Sequence, residues 1–239
     1  MMHTNCNVMF FCGSPQECGW QEYCSYSLQV QEAVSLFVNA TAADLAERLS
    51  EYPFLQVSLY QWTGCLEDHD PLLSSGVTIK NLVGDSFHGA ISKAVKDIYV
   101  SRPAANVLVF YGRNPLYSVE LLLEGIELVG QEDDVIAVGQ STNSHAPSRA
   151  IWVSTKCYHP ELFGHGDHAL LEERLLQSPS LQSLIVPVRA VSNISTLNDL
   201  PILFHDIERE MLLGNWFPYR TRHVLKQMDR IGLLEEVRR

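Results

Sequence analysis

Short apolar runs that end at glycine, proline or polar residues recur along the 239-residue chain. Runs of this kind are typical of strands that are buried within a sheet. The clearest is Asn106–Tyr111, because its Val-Leu-Val-Phe core is closed at once by Gly112 and Pro115. The pattern predicts seven strands, at Asn7–Cys12, Phe54–Gln61, Val77–Leu82, Asn106–Tyr111, Val135–Val138, Ala150–Ser154 and Leu184–Val188.

Apolar residues at helical spacing separate most of these strands, and predict helices over Leu28–Tyr52, His88–Val100 and Tyr117–Val129. Thr196-Leu-Asn-Asp199 has the form of a capping box and begins another helix. The last segment predicts one amphipathic helix over Tyr219–Arg239, which Gly232 destabilises by about 1 kcal/mol relative to alanine. Its apolar stripe comprises Val224, Met228, Ile231 and Leu234, and the cations largely off that stripe are Arg220, Arg222, Lys226 and Arg230.

Strands that alternate with helices indicate a three-layer α/β/α fold with a mostly parallel, Rossmann-like sheet covered on both faces. In such sheets ligands bind beyond the carboxyl ends of the strands. The loops at that edge are residues 13–27, 84–88, 112–116 and 139–149.

The charge of the chain restricts its partners. The net charge of -11 disfavours nucleic acid, because an acidic surface repels the phosphate backbone. The start of the chain has no basic segment of a signal peptide and no run approaches a membrane span, so we expect a cytoplasmic protein with no membrane partner. Residues 209–239 carry seven Lys and Arg against four Asp and Glu. This basic extension packs either on the acidic body of its own chain or on a second copy, as a homodimer through the C-terminal helix.

Several turn motifs follow the predicted strands in a recognisable order. Phe11-Cys12-Gly13-Ser14-Pro15 and Gly19 follow the first strand, and Gly84-Asp85 follows the third. Gly112-Arg113-Asn114-Pro115 follows the central strand, and Asn143 lies after the fifth. The stretch Asn193–Leu200 closes the series.

This order resembles the GT-A-like nucleotide-diphospho-sugar transferase superfamily. It is most similar to the small bacterial transferases associated with radical-SAM and selenoprotein gene clusters, a group of unknown function. The resemblance implies a GT-A-like domain over residues 1–205, followed by a helical extension over 206–239. It also implies a nucleotide or sugar-nucleotide ligand, bound with Mg²⁺ or Mn²⁺ at the edge loops. The positions that match the family's nucleotide-binding motifs are Gly13, Ser14, Gly19, Asp85, Arg113, Asn114 and Asn143.

Most of the charged residues of that family pattern are absent. Its first-loop lysine corresponds to Gly13, and its metal-binding acid corresponds to Asn114 or Arg113. A diphosphate is neutralised by a cation held by carboxylates, by Lys and Arg, or by helix N-termini. The chain has no Lys or Arg before Arg48, so the first loop supplies no cationic side chain. Asp85 is the polar residue retained at this edge, either in a functional role or as a helix cap or turn residue.

Three other groups have ligand chemistry. His159, His165, Asp167 and His168 lie in a glycine-rich stretch that would suit Zn²⁺ or Ni²⁺, and the alternative is a polar surface loop. Asp133-Asp134 precedes a strand, away from the ligand edge, so we do not expect a metal there. The six-residue spacing of Cys6, Cys12, Cys18 and Cys24 does not match the short pairs of metal sites.

These observations leave three hypotheses. In the first, which the sequence favours, the chain is a relative with a degenerate site that serves as a binding or interaction module. In the second, it is an active transferase that uses Asp85, Arg113 and the His159–His168 cluster in a rearranged site. In the third, it is a metal-binding protein centred on that cluster.

Overall fold

A computed structural model defines the fold. It describes residues 5–13, 15, 20, 22–62, 76–103, 105–110, 114–132, 135–141, 152–163, 184–190, 194, 196–214 and 216–236.

Seven strands form a single mixed sheet in the spatial order β3-β2-β1-β4-β6-β5-β7. Every neighbouring pair is parallel except those made by β6, which runs antiparallel to both β4 and β5. The expected α/β class with a mostly parallel sheet is therefore confirmed. The strands are β1 (Cys6–Cys12), β2 (Leu55–Trp62), β3 (Val77–Leu82), β4 (Asn106–Phe110), β5 (Ile136–Ser141), β6 (Trp152–Thr155) and β7 (Ile185–Ala190).

Five long α-helices, two short α-helical turns and two 3-10 turns, Tyr23–Ser25 and Leu197–Asp199, accompany the sheet in the described part of the chain. Pro201 lies in the first turn of α5, where its missing N–H leaves no intrahelical bond unmade. The helices are α1 (Leu28–Ser50), α2 (Phe87–Ser101), α3 (Val119–Gln131), α4 (Pro160–Phe163), α5 (Leu200–Leu212), α6 (Tyr219–Arg230) and α7 (Leu233–Glu236). None of them is long and apolar enough to cross a membrane.

The core divides into three clusters, one on each face of the sheet and one between α1 and the C-terminal helices. One face of the sheet packs against α1 and α3, around buried residues such as Phe10, Leu45 and Leu122. The other face packs against α2 and α4, around residues such as Ile91 and Phe163. A third cluster joins the outer side of α1 to α5, α6 and α7. Helix α1 is thus covered on both sides, and eleven of its residues are buried.

The C-terminal segment differs from the single helix that the sequence predicts. Helix α6 ends at Arg230, and Gly232 adopts a φ of 80°, a left-handed conformation that favours glycine and ends the helix. The break removes Ile231 from the apolar stripe, so its side chain is 51% exposed. The other stripe residues, Val224, Met228 and Leu234, are buried in the third cluster within the same chain. The expected division after residue 205 falls inside α5.

Arg220, which the sequence groups with the cations largely off the apolar stripe, is instead buried. The residue is 8% exposed, and its Nη1 donates to Asp44 Oδ1 over 3.1 Å and also to Glu47. Asp44 Oδ2 accepts from the backbone N–H and the hydroxyl of Thr221, both over 2.8 Å. A carboxylate on α1 therefore caps the first turn of α6, whose preceding residue Pro218 provides no side-chain cap.

Candidate ligand-binding edge of the sheet

The carboxyl ends of β1, β3 and β4 lie at one edge of the sheet, because these strands are parallel members of it. Gly13 follows β1, Asp85 follows β3 by three residues, and Asn114 follows β4. The topology therefore assigns these three predicted positions to the same edge. The other four predicted positions, Ser14, Gly19, Arg113 and Asn143, lie outside the described residues.

Asp85 does not cap helix α2. The cap is Ser86, whose hydroxyl accepts a hydrogen bond from the backbone N–H of Gly89 over 3.1 Å. Asp85 is exposed in the bend that precedes the cap. Its carboxylate forms no ion pair with the described residues, so it remains accessible at the start of a helix.

Asn114 is nearly buried, with 9% of its surface exposed. Its Oδ1 accepts a hydrogen bond from the backbone N–H of Leu116 over 3.0 Å. An asparagine that binds the backbone two residues ahead forms an Asx turn and fixes the loop that contains Pro115. The carbonyl oxygen that could have bound a metal is thus used to shape the turn.

An aromatic cluster underlies this edge. Phe10 and Phe110 stack with ring centroids 4.4 Å apart, and Tyr117 meets the Phe110 ring edge-on at 6.3 Å. The Trp152 indole N–H donates to the Tyr117 hydroxyl, and both side chains are buried. Burial raises the pKa of Tyr117 above its ordinary value, so the phenol is neutral at physiological pH. The described side chains beneath the edge, which form its floor, are therefore apolar rings without charge.

Two glycines, Gly125 and Gly139, make room for Trp152. A Cβ placed on Gly125 of α3 would lie 2.2 Å from the indole ring, and one on Gly139 of β5 would lie 2.4 Å from its Nε1. A glycine inside a helical pattern is a signal of close packing, and Gly125 could have been identified in this way.

The edge loops contain few charged residues. By sequence, residues 13–27, 84–88, 112–116 and 139–149 contain three acids, Glu17, Glu22 and Asp85, and two cations, Arg113 and Arg149. The first cation of the chain, Arg48, is engaged by the fold. Its Nη1 donates to the Tyr117 carbonyl over 2.8 Å, and its guanidinium lies 4.6 Å from the centre of the Trp216 ring.

Two further sequence predictions concern acids and histidines outside these loops. Asp199 completes the predicted capping box, because its Oδ2 accepts from the Thr196 N–H over 2.9 Å. His159 is half-buried just before α4, whereas His165, Asp167 and His168 lie outside the described residues, as does Asp133-Asp134. Within the described ranges, no group of three side chains is placed to hold a metal ion.

The comparisons with known proteins concern mainly the fold. No protein-family model and no curated protein matches the sequence. Among solved structures, a protein from Desulfovibrio desulfuricans G20, described as a candidate nucleotide-diphospho-sugar transferase, superposes with a TM-score of 0.68. The match has 12% identity and covers 98% of each chain.

The Rv0371c protein of Mycobacterium tuberculosis H37Rv is also similar. It matches with a TM-score of 0.51 and 13% identity, over 84% of this chain and 97% of its own. The chain therefore shares the α/β fold of the candidate nucleotide-diphospho-sugar transferase along nearly its whole length.

Proposed function

We propose that this chain is a member of the GT-A-like nucleotide-diphospho-sugar transferase superfamily that has lost the charges needed for transfer and serves as a binding or interaction module. The shared fold and the order of the edge motifs support membership. Because fold alone does not determine activity, the proposal on activity depends on the residues of the edge.

The observation that carries this proposal is the neutral character of the edge. A Mg²⁺–diphosphate group needs one or two carboxylates for the metal and fixed cations for the phosphates. The metal-binding acid of the family corresponds to Asn114 or Arg113, and the Oδ1 of Asn114 accepts from the Leu116 N–H. The first loop has no Lys or Arg, and the floor is built from neutral aromatic rings. An edge of this composition suits an uncharged group better than a metal-bound diphosphate.

Thermal unfolding with a ligand panel tests the proposal. Nucleosides, nucleotides and nucleotide-sugars are each added with and without Mg²⁺ or Mn²⁺. A ligand at 100 times its Kd stabilises the native state by about 2.7 kcal/mol, which raises the Tm of a domain of this size by several degrees. We expect no stabilisation that requires both a diphosphate and a metal. A metal-dependent shift with any nucleotide-sugar would refute the loss of transfer chemistry.

The variant Asn114→Asp is the matched control for this experiment. An aspartate oxygen can accept the Leu116 N–H as the asparagine does, so the turn is kept while the missing carboxylate is restored. We expect this variant to gain a metal-dependent response that the natural chain lacks. If both proteins respond equally to metal and nucleotide, the asparagine is not the cause of the loss.

The accessible Asp85 favours one alternative, an active transferase with a rearranged site. This carboxylate lies at the expected edge and is not used as the α2 cap. In that case Asp85→Asn would abolish a metal-dependent ligand shift, whereas Ser86→Ala would weaken the helix and leave the shift in place. A panel without any shift would remove the support for this alternative.

Elemental analysis of the purified protein addresses the third hypothesis. Stoichiometric Zn or Ni that disappears when His165 and His168 are changed to alanine would identify the histidine-rich stretch as a metal site. A metal-free protein would exclude a tightly bound ion of this kind.

A further inference from the structure

A groove separates α2 from the β2–β3 side of the sheet and runs from Val83, at the carboxyl end of β3, along the strands toward Asn7 and Arg102. It consists of two adjoining parts of about 360 and 410 Å³, which share Lys80, Ile98 and Ser101. One part runs toward Lys93 and Val83, and the other runs toward Arg102 and Asn7. The groove is elongated and open to solvent, unlike an enclosed pocket for a small molecule.

The groove is cationic in a chain that is acidic overall. Its described walls contain three cations, Lys80, Lys93 and Arg102, and one acid, Asp97. None of the three cations forms an ion pair with a described residue. Three of the ten Lys and Arg residues that precede position 209 thus line one groove.

Arg102 is held in place by neutral groups. Its Nη1 donates to Asn7 Oδ1 over 3.3 Å and to Gln56 Oε1. The Asn7 amide is fixed in turn, since its Nδ2 donates to the Asn106 carbonyl over 3.4 Å. The Nε and Nη2 donors of Arg102 make no hydrogen bond to the described residues. A guanidinium that is positioned but not neutralised presents a fork of donors suited to a carboxylate or a phosphate.

Lys80 forms the second cationic centre. Its Nζ lies 5.2 Å from the centre of the Tyr60 ring and donates to the Tyr60 hydroxyl over 3.4 Å. Burial and the charge of Asp97 raise the pKa of Tyr60 to about 12, so its hydroxyl is protonated at neutral pH and can donate. This one aromatic face in the described walls is occupied by the lysine, so a nucleobase has no free ring on which to stack.

The distance between the two centres indicates what kind of ligand fits. Lys80 pairs in register with Tyr60 on β2, and Arg102 contacts Gln56 four residues earlier on that strand. Four residues of extended chain span roughly 13 Å, and side chains four positions apart point to the same side. We propose that this groove binds an acidic segment of a partner protein in an extended conformation, with carboxylates four positions apart on Lys80 and Arg102. The polar side chains along the walls would bind its peptide groups.

Fluorescence anisotropy of a labelled peptide tests this proposal. The probe is a short peptide with two glutamates four positions apart, and a second peptide of the same composition has them adjacent. We expect the spaced peptide to bind more tightly. We also expect Lys80→Gln and Arg102→Gln each to weaken its Kd by about fivefold, the effect of one solvent-exposed charge pair. Added salt weakens the binding further, and Asp97→Asn strengthens it.

Lys96→Gln is the matched control. Lys96 is an exposed cation of α2, the helix that forms one wall of the groove, but its own side chain does not line the groove. If Lys96→Gln weakened peptide binding as much as Lys80→Gln, the effect would come from the overall charge of the protein, and the proposal would be overturned. Arg102→Lys keeps the positive charge but removes the forked donors of the guanidinium. Unfolding curves show whether each variant is folded. Absence of binding to the spaced peptide, or stronger binding of tripolyphosphate at the same residues, would also overturn it. All of these outcomes are independent of the nucleotide panel.

Discussion

The carboxyl edge of the sheet and the junction between α1 and α6 use charge in opposite ways. At the candidate ligand-binding edge, the two described candidate residues with polar side chains are a buried asparagine engaged in a turn and an exposed aspartate. At the junction, Asp44 is 1% exposed and Arg220 is 8% exposed, and they are joined through hydrogen bonds. The fold has thus kept a buried ion pair for its architecture, while the edge loops have few charges for chemistry.

Burial raises the pKa of the Asp44 carboxyl, and the hydrogen bonds from Thr221 and Arg220 oppose that rise. The residue is costly to bury without these donors, because an unpaired buried charge is strongly destabilising. The comparison can therefore be tested by removing charge at either region and comparing the free energies of unfolding.

The largest effect is expected at the junction. Asp44→Ala removes the cap of α6 and takes one acidic partner from the buried Arg220, so we expect a loss of about 3–5 kcal/mol. Denaturant unfolding measures it. The control is Glu208→Ala, which removes a more exposed pair with Arg222 and should lose about 1 kcal/mol or less. Equal losses for the two variants would contradict the role of Asp44.

A smaller effect is expected in the aromatic floor of the edge. Gly125→Ala and Gly139→Ala each place a methyl group within contact distance of the Trp152 ring, and we expect each to lose about 1–3 kcal/mol through overpacking. Thermal unfolding measures the loss. In a Trp152→Phe background the smaller ring should relieve part of it, so the effects should not be additive. Additive losses would show that the indole is not the obstacle.

The smallest effects are expected at the start of α2. Ser86→Ala removes the hydroxyl that caps Gly89, so we expect a loss of about 1 kcal/mol. Asp85→Asn should change the free energy of unfolding by less than about 0.5 kcal/mol, since the side chain is exposed and does not cap the helix. If Asp85→Asn were the more destabilising of the two, this aspartate would be a structural residue and not a candidate ligand.

The sheet could be predicted from the sequence because each strand is a local apolar run. Val77–Leu82 has the expected bounds, and β4 begins at the expected residue, Asn106. The capping box of Thr196 and Asp199 was likewise identifiable, since both partners lie within four residues. Local signals of this kind do not depend on the rest of the fold.

The remaining features depend on distant partners. Arg220 lies four residues before Val224, on the same face of the helix, but its pairing with Asp44, 176 positions away, gives no local signal. Gly125 on α3 and Gly139 on β5 both pack against Trp152, which lies on β6. At the edge, the sequence shows that charges are missing, but only the structure shows that Asn114 serves a turn and that Ser86 is the cap.

The capping of α6 by α1 also has a consequence for synthesis. Asp44 is translated first, and the donors that neutralise it, Arg220 and Thr221, follow it by 176 and 177 positions. Until then, the nascent chain holds a carboxylate on a surface of α1 that the finished protein buries. Helix α1 therefore reaches its final packing only after α6 has been made, and release of a chain shortened before residue 220 would leave that surface exposed to aggregation.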